Sequence, residues 1–528
     1  MFNSVSEKEI GDIIQKLPNK SCTLDVLPTW LLKSCADEVV STFTEIVNVS
    51  LAQGSFPTAL KKAVVTPVIK KQSLDPNDLK HYRPVSNIKT FSKIIEKTVT
   101  AQLESHLESN DMNDSYQSAY RPKHGTETAL LKVKNDITNA MDDQKVTILV
   151  MLDLSSAFDT IDYTIMLDRL TKDFNITDTA LTWISSYLQD RTYRVLICGT
   201  ESKEHTMFYG IPQGSVMGPG LFTKYTYPIG KIIQEHGLKY HIYADDTQIY
   251  ISFNPRVPGD AAVAIFKLTE CIESIKKWMD ENKLKLNKTK TELFVAGSKP
   301  TLKLLEDISL DICGASILPS VKVRNLGVYF DSNMTMSDHI STLSSSLNYQ
   351  LRNLSRIRKY IDKDTCHHAI RSLITQRLDN SNSLLYGITS KDMDRLQKIQ
   401  NRAARLIFQV SRFEHTSRLI RELHWLPIKE RIVYKILLLV YKSLNELAPS
   451  YLSNMLSYAT PAPSEDMMCL RSHTDTTRLT CNRTRTTFGD NSFINCAPQL
   501  WNQLTSDIRS SATINAFKSS LKTHLYKF

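Results

Sequence analysis

No pair of cysteines in this chain is spaced C-x-x-C. The nine present (Cys22, Cys35, Cys198, Cys271, Cys313, Cys366, Cys469, Cys481 and Cys496) are scattered over 528 residues. An odd, dispersed set in so large a chain excludes a disulfide framework and points to a reducing, intracellular compartment. Cys366-His367-His368 has no second ligand pair at useful spacing, so it does not read as a zinc site. Met1-Phe2-Asn3-Ser4 lacks the charged start and apolar stretch of a secretory signal. The longest apolar runs, 146–152 and 436–441, fall far short of the ~20 residues of a membrane-spanning helix. A soluble protein with no membrane partner is expected. No unit of about 20–50 residues recurs, which excludes repeat architectures.

What is present is ordinary in bulk and mildly basic. Hydrophobic residues make up 41% and charged residues 23%, the balance of a globular protein long enough for roughly two to four structural units. Lys and Arg outnumber Asp and Glu 65 to 55, a formal charge of +10. That excess suits a polyanionic partner, because cations that neutralise phosphates release condensed counterions. Many soluble proteins are equally basic without one.

Short helices are expected over 1–60, with Pro28 in the first turn of one of them. Residues 63–69 read as a β-branched strand and 91–107 as a helix. The run 146–152 is continuously apolar, as a strand buried on both faces should be, and it ends on Asp153. Helices follow over 162–170 and up to 188, then a strand over 193–198. Residues 240–253 form two strands around Ala244-Asp245-Asp246, a hairpin signal. An amphipathic helix is expected over 261–284, with Phe266, Ile272, Ile275 and Met279 on one side. Residues 292–295 read as a strand and 323–329 as a strand pair. Beyond Phe330 the pattern turns helical. Ile340, Leu343, Leu347, Leu351, Leu354 and Ile357 recur at steps of three and four, with Arg352, Arg356, Arg358 and Lys359 on other faces. A boundary near 335 follows, and Thr460-Pro461-Ala462-Pro463-Ser464 predicts a linker before a small C-terminal module.

Chemistry concentrates on Asp153 and the pair Asp245-Asp246, each at the end of an apolar strand. Two carboxylates about 4 Å apart repel by roughly 4 kcal/mol at an effective dielectric near 20. Two Mg²⁺ ions, or Mn²⁺ in their place, remove that penalty; one activates a 3′-hydroxyl and the other holds the leaving pyrophosphate. The plainer reading is that Asp-Asp simply forms turns well. Phe158 lies five residues after the first carboxylate. Residues 209–219 form a Gly/Pro-rich turn whose backbone can approach a nucleotide, with Gln213 available for hydrogen bonds. Asn287-Lys288-Thr289-Lys290-Thr291 precedes the strand at 292, and Leu326-Gly327 lies within the strand pair.

That order of motifs resembles the palm of reverse transcriptases, and more narrowly the non-LTR (LINE-type, jockey-like) retrotransposon polymerases. His81-Tyr82-Arg83-Pro84-Val85-Ser86-Asn87 is similar to the family's Y-R-P-I-S segment, and Gln117-Ser118-Ala119-Tyr120-Arg121-Pro122 to its Q-x-G-F-R segment. The resemblance implies an α+β, right-hand polymerase with fingers, a palm built on an antiparallel sheet, a helical thumb and a mostly helical C-terminal region. The boundaries expected are a helical lead-in over 1–59, fingers 60–145, palm 146–334, thumb 335–420 and a C-terminal region 421–528 of unassigned role. It implies that Asp153 and Asp245 ligate both metals with the Leu154 carbonyl assisting, and that Asp246 supports the site. Phe158 would be the steric gate against a ribose 2′-hydroxyl, Gln213 would line the nucleotide, and Lys70 and Arg83 would reach its triphosphate. Lys290 would protonate pyrophosphate, with Lys288 close behind, and Leu326-Gly327 would grip the primer. For each lysine the plainer reading is a solvated surface charge.

The implied function is RNA-directed DNA synthesis: element RNA is copied from a DNA primer or target with deoxynucleoside triphosphates, in the nucleus and cytoplasm. Protein partners are left unassigned. Gly220, Lys224 and Tyr227 depart from the family's apolar helix after Gly218-Pro219. They keep open a catalytically inactive remnant that only binds nucleic acid. An RNA-dependent RNA polymerase shares the palm logic, but bulky Phe158 speaks against it. The endonuclease domain and zinc knuckle that often flank such polymerases are not visible, so a partial open reading frame, or one whose upstream portion is lost, is expected.

Overall fold

Near-continuous burial along Val146–Leu152 places this strand at the centre of the molecule. The computed structural model describes residues 1–20, 22–155, 158–287, 289–305, 308–312, 314–459 and 476–526; Lys288 and the Thr460–Ser464 stretch lie outside them. In chain order the strands are β1 (Lys62–Ile69), β2 (Tyr82–Ile88), β3 (Val146–Leu152), β4 (Leu154–Ser155), β5 (Arg191–Ile197), β6 (Thr200–Glu201), β7 (His205–Met207) and β8 (Lys239–Tyr243). They continue with β9 (Asp246–Phe253), β10 (Lys285–Leu286), β11 (Glu292–Ala296), β12 (Leu310–Ile312), β13 (Ala315–Ile317), β14 (Pro319–Ser320), β15 (Lys322–Asn325) and β16 (Val328–Asp331). The central sheet runs β14-β11-β3-β9-β8, antiparallel except for the short parallel pair β11/β14.

Both faces of this sheet are covered, which is why β3 is apolar throughout. Ile148, Val150 and Leu152 face one core, together with Met166, Leu170, Leu268 and Ile275 from helices Tyr163–Phe174 and Asp260–Glu281. Leu149, Tyr250 and Phe294 face a second core shared with helix Thr126–Asp142 and the helices beyond Ser337. A smaller mixed sheet places β1 between antiparallel β2 and parallel β5. The N-terminal helices Ala36–Gln53 and Thr90–Ser109 contribute Val47, Leu51, Ile94 and Val99 to the first core.

Three expectations are corrected. In helix Asp260–Glu281 the buried stripe is Ala264, Leu268, Cys271, Ile272, Ile275 and Met279, whereas Phe266 is 64% exposed. Six residues separate Phe266 from Ile272, which at 3.6 per turn sets them about 120° apart. In helix Ser337–Ile357 the periodic residues Ile340, Leu347, Leu351 and Leu354 are buried, but Ile357 is exposed. Arg358 is no surface charge: it is buried and donates to the carbonyls of Leu406 (2.9 Å), Ile361 (2.6 Å) and Ile407 (2.8 Å).

Residues 476–526 share the second core rather than forming a core of their own. Phe493, Trp501, Phe517 and Leu521 pack with Ile436 and Val440 of helix Ile428–Leu444. No helix of the described residues is long and apolar enough to cross a membrane.

Candidate active site

Leu152, the last residue of β3, is paired with Thr247 of β9, so Asp153 stands level with Asp246 across the ladder. Opposed residues of antiparallel strands lie about 5 Å apart between Cα atoms. Tyr243 pairs with Asp246, which makes Ala244-Asp245 a two-residue hairpin turn. Ala244 takes φ 58°, the left-handed value that a primed hairpin turn requires at its first central position. The strand end and the turn thus bring Asp153, Asp245 and Asp246 to one edge of the sheet.

Their electrostatics show the strain of that convergence. Burial, then the charges of Asp245 and Asp153, push the Asp246 carboxyl up to about 6. Asp245 is also raised, by burial first and by Asp153 after it, with Lys290 and Arg83 pulling the other way. Lys290 Nζ lies 2.8 Å from Asp153 Oδ2, and Asn287 Nδ2 donates to the same oxygen at 3.3 Å. A cation is therefore already seated on the first carboxylate.

The donor set fits hard divalent ions, because carboxylate and carbonyl oxygens are what Mg²⁺ and Mn²⁺ take. Asn287 N donates to the Asp153 carbonyl (2.9 Å), so ladder alternation turns the Leu154 carbonyl away from β10 and leaves it available. Among the described residues no three His, Cys, Asp or Glu side chains are already drawn onto one point. Mutual repulsion accounts for that, and Mg²⁺ habitually draws further ligands from water and substrate phosphates.

Gln213 is fixed by its loop, in a neighbouring cavity it lines with Ser86 and Asp159. Gly210 N donates to Ile161 O (2.8 Å), Ile211 N to Phe158 O (3.0 Å), and Ser86 N of β2 to Gln213 O (2.7 Å). Gly214 is at φ 130°, and a Cβ there would lie 2.5 Å from the Ser86 carbonyl, so only glycine permits this close approach. The Gln213 amide donates to Asp159 at 2.9 and 3.1 Å. Phe158 is half-buried and stacked on Phe222, ring centroids 4.8 Å apart. Arg83 is near enough to Asp245 to act on its charge, and Lys70 likewise on Asp159. Lys70 Nζ meanwhile donates to Lys80 O at 2.7 Å. Leu326 (φ 43°) and Gly327 (φ 91°) form the tight turn between β15 and β16. Leu326 lines, with Asp153, Asp246 and Lys290, a cleft of about 290 Å³.

Two residues that hold the site's loops were not singled out from the sequence. Asp159 is raised by burial and fixes Gln213. Glu96, fully buried, accepts from Val216 N (2.6 Å) and Met217 N (3.2 Å), tethering the start of helix Met217–Tyr225. The signal available was slight: an acid directly after Phe158 in one case and after Ile94-Ile95 in the other. A third feature left no such signal: Asn325 Nδ2 donates to Gln248 Oε1 (2.7 Å), a buried pair that ties the Leu326-Gly327 turn to β9.

The departures also change meaning. Lys224 is buried, but its Nζ meets Glu104 Oε1 at 2.9 Å. Gly220 lies beside the same carboxylate, and Tyr227 packs on Phe174 at 5.0 Å. A buried lysine with a dedicated carboxylate is a compensated arrangement, which removes one reason for suspecting a decayed copy.

Residues 69–367 match the family described as reverse transcriptase (RNA-dependent DNA polymerase). Among curated proteins, the chain is 25% identical over 364 residues to the RNA-directed DNA polymerase from mobile element jockey of Drosophila melanogaster, covering 67% of this chain and 38% of that one. It is 24% identical over 441 residues to the probable RNA-directed DNA polymerase from transposon BS of the same fly, covering 80% and 47%. The chain thus spans less than half the length of these relatives. A solved telomerase from Candida albicans is similar at 10% identity and a TM-score of 0.36, covering 75% of this chain and 68% of that one. With the family match spanning more than half its length, this chain belongs to the reverse transcriptases, and its relatives there include the polymerases of jockey and other non-LTR retrotransposons.

Proposed function

We propose that this chain carries the polymerase of a non-LTR retrotransposon, copying RNA into DNA from a DNA primer with deoxynucleoside triphosphates. The observation that carries the reading is the register that sets Asp153 level with Asp246, beside the Ala244-Asp245 turn. Two bound Mg²⁺ ions would supply activation of the primer 3′-hydroxyl and stabilisation of the leaving pyrophosphate. Asp153 and Asp245 would hold them with the Leu154 carbonyl, and Asp246 would add negative charge beside them.

The remaining residues bind and orient. Gln213, its amide N–H group committed to Asp159, would offer its carbonyl oxygen to the nucleotide. Phe158, backed by Phe222, would close the space a 2′-hydroxyl needs. Lys70 and Arg83 would meet the triphosphate. Lys290, now on Asp153, would turn to the pyrophosphate and give it a proton. Leu326 and Gly327 would grip the primer end, and the exposed Arg352 and Arg356 would follow the duplex backbone without reading sequence. Fingers over 60–145, palm over 146–334 and thumb over 335–420 remain our division of the chain.

Extension of oligo(dT) on poly(rA) by the full chain with Mg²⁺ tests this, with dTTP and UTP offered separately. Extension with dTTP alone is expected. Use of UTP would make the enzyme an RNA polymerase, and binding without extension a remnant.

A further inference from the structure

A cavity of about 620 Å³ lies outside the catalytic edge, and none of its lining residues is shared with the carboxylate cleft. Three segments distant in sequence build it. Arg371 opens a π-helical turn (Arg371–Thr375), Trp425 sits between helices Thr416–Glu422 and Ile428–Leu444, and Lys522 projects from the last helix, Ile514–Leu525. π-Turns are rare and concentrate at functional sites. Its volume is that of a small-ligand pocket, which runs from about 300 to 1,000 Å³.

The chemistry of the walls is uneven. Arg431 is engaged by Asp379, with Nε 2.8 Å from Oδ1, and Lys435 by Glu127 at 3.1 Å. Arg371 and Lys522, both exposed, have no carboxylate partner among the described residues. The positive field extends along the neighbouring helices, where Lys518 and Lys435 add to burial in lowering the Lys442 ammonium. Trp425 is half-buried, with His367 at 6.1 Å between ring centroids, and its indole N–H finds no acceptor among the described residues. Burial, then His368 and Arg371, lower His367, which favours a neutral ring beside the tryptophan. Two cations without carboxylate partners and an aromatic side chain lining one concave site match a nucleotide: phosphate to the cations, base on the ring.

We propose that this cavity binds one unpaired nucleotide of a single strand, with its base on Trp425 and its phosphates at Arg371 and Lys522. A duplex is excluded because its bases are stacked on each other and cannot enter. RNA and DNA single strands offer the same base and phosphate, and separate arms of the test distinguish them.

The test is fluorescence anisotropy on the full chain, saturated with annealed primer–template so that the catalytic cleft is filled. The probes are a labelled ten-nucleotide single-stranded RNA, the DNA of the same sequence, and a blunt duplex. Arg371→Glu combined with Lys522→Glu should weaken at least one single strand by about tenfold or more and leave the duplex unchanged. Trp425→Ala should do the same, and Trp425→Phe should retain most of the affinity. Because Trp425 is partly packed, the exposed charge pair provides the variant that does not depend on the core. Extension of the annealed primer should stay at the parental rate in every variant, which separates this proposal from the polymerase reading. Unchanged single-strand affinity in the charge-reversed variant, or an equal loss for the duplex, overturns it.

Discussion

Gln213 and Asp159 show how a single pair can fix a side chain proposed to meet the nucleotide. An ionised carboxylate only accepts, so Asp159 dictates which end of the amide faces the cleft. Asp159→Ala frees that orientation and should raise the KM for dTTP by about tenfold, with kcat changed far less, since a hydrogen bond to a charged group contributes about 1.5–3 kcal/mol. Steady-state kinetics on an annealed template measure the split. Phe158 makes a second residue-scale prediction. Phe158→Val opens the face beside Phe222, and discrimination between dTTP and UTP in kcat/KM should fall by at least about tenfold. Equal discrimination in parent and variant would remove Phe158 from the role of gate. The three aspartates and Gln213 were legible in the sequence because chemistry places them at strand ends and in a glycine-rich turn. The partners of Gln213 were not, because their contacts join β2, the segment after β4 and the loop at 209–215 only in the folded chain.

At the scale of elements, β3 and the hairpin β8–β9 were readable because continuous apolarity and a two-residue turn are local signals. The stripe of helix Asp260–Glu281 was misplaced at Phe266, where hydrophobicity alone does not fix the phase. The helix Met217–Tyr225 illustrates a different limit. Lys224 looks misplaced in the sequence because Glu104, its partner, lies 120 residues earlier on helix Thr90–Ser109. Lys224→Leu should destabilise by about 3 kcal/mol by leaving that carboxylate unpaired. Glu104→Leu together with Lys224→Leu should recover most of the loss. A double-mutant cycle in urea reads both values, and additive single effects would show that the pair is not coupled.

Across the whole molecule, helix Thr126–Asp142 joins the polymerase sheet to the C-terminal residues that carried no sequence signal. Asp142 accepts from Arg485 N (3.0 Å), Thr486 N (2.7 Å) and Thr486 Oγ1 (2.8 Å). Asp142→Ala should cost about 2 kcal/mol and speed amide exchange over residues 485–490. A second junction is pH-sensitive. His241, wholly buried, meets Ser118 Oγ at 2.8 Å, and the same hydroxyl meets Tyr451 Oη at 2.9 Å. Burial pushes His241 down to about 3 and His124, beside Tyr451, to about 4. Both stay neutral in the fold, so as pH falls below the ordinary value of 6.5 the unfolded chain takes up protons first. Stability is therefore full above about pH 6.5 and declines towards pH 3, by as much as about 4 kcal/mol for His241. Melting curves between pH 7.5 and 4.5 should slope less steeply for His241→Gln than for the parent.

The carboxylate edge is the centre of the account, and one rate measures it most directly: single-turnover addition of dTTP to an annealed primer–template by Asp153→Asn in Mg²⁺. Replacing one acceptor oxygen of a two-ion site should slow the step by at least about a thousandfold while primer–template affinity stays within about threefold. Addition within about tenfold of the parental rate would contradict the assignment of Asp153 and, with it, of the site.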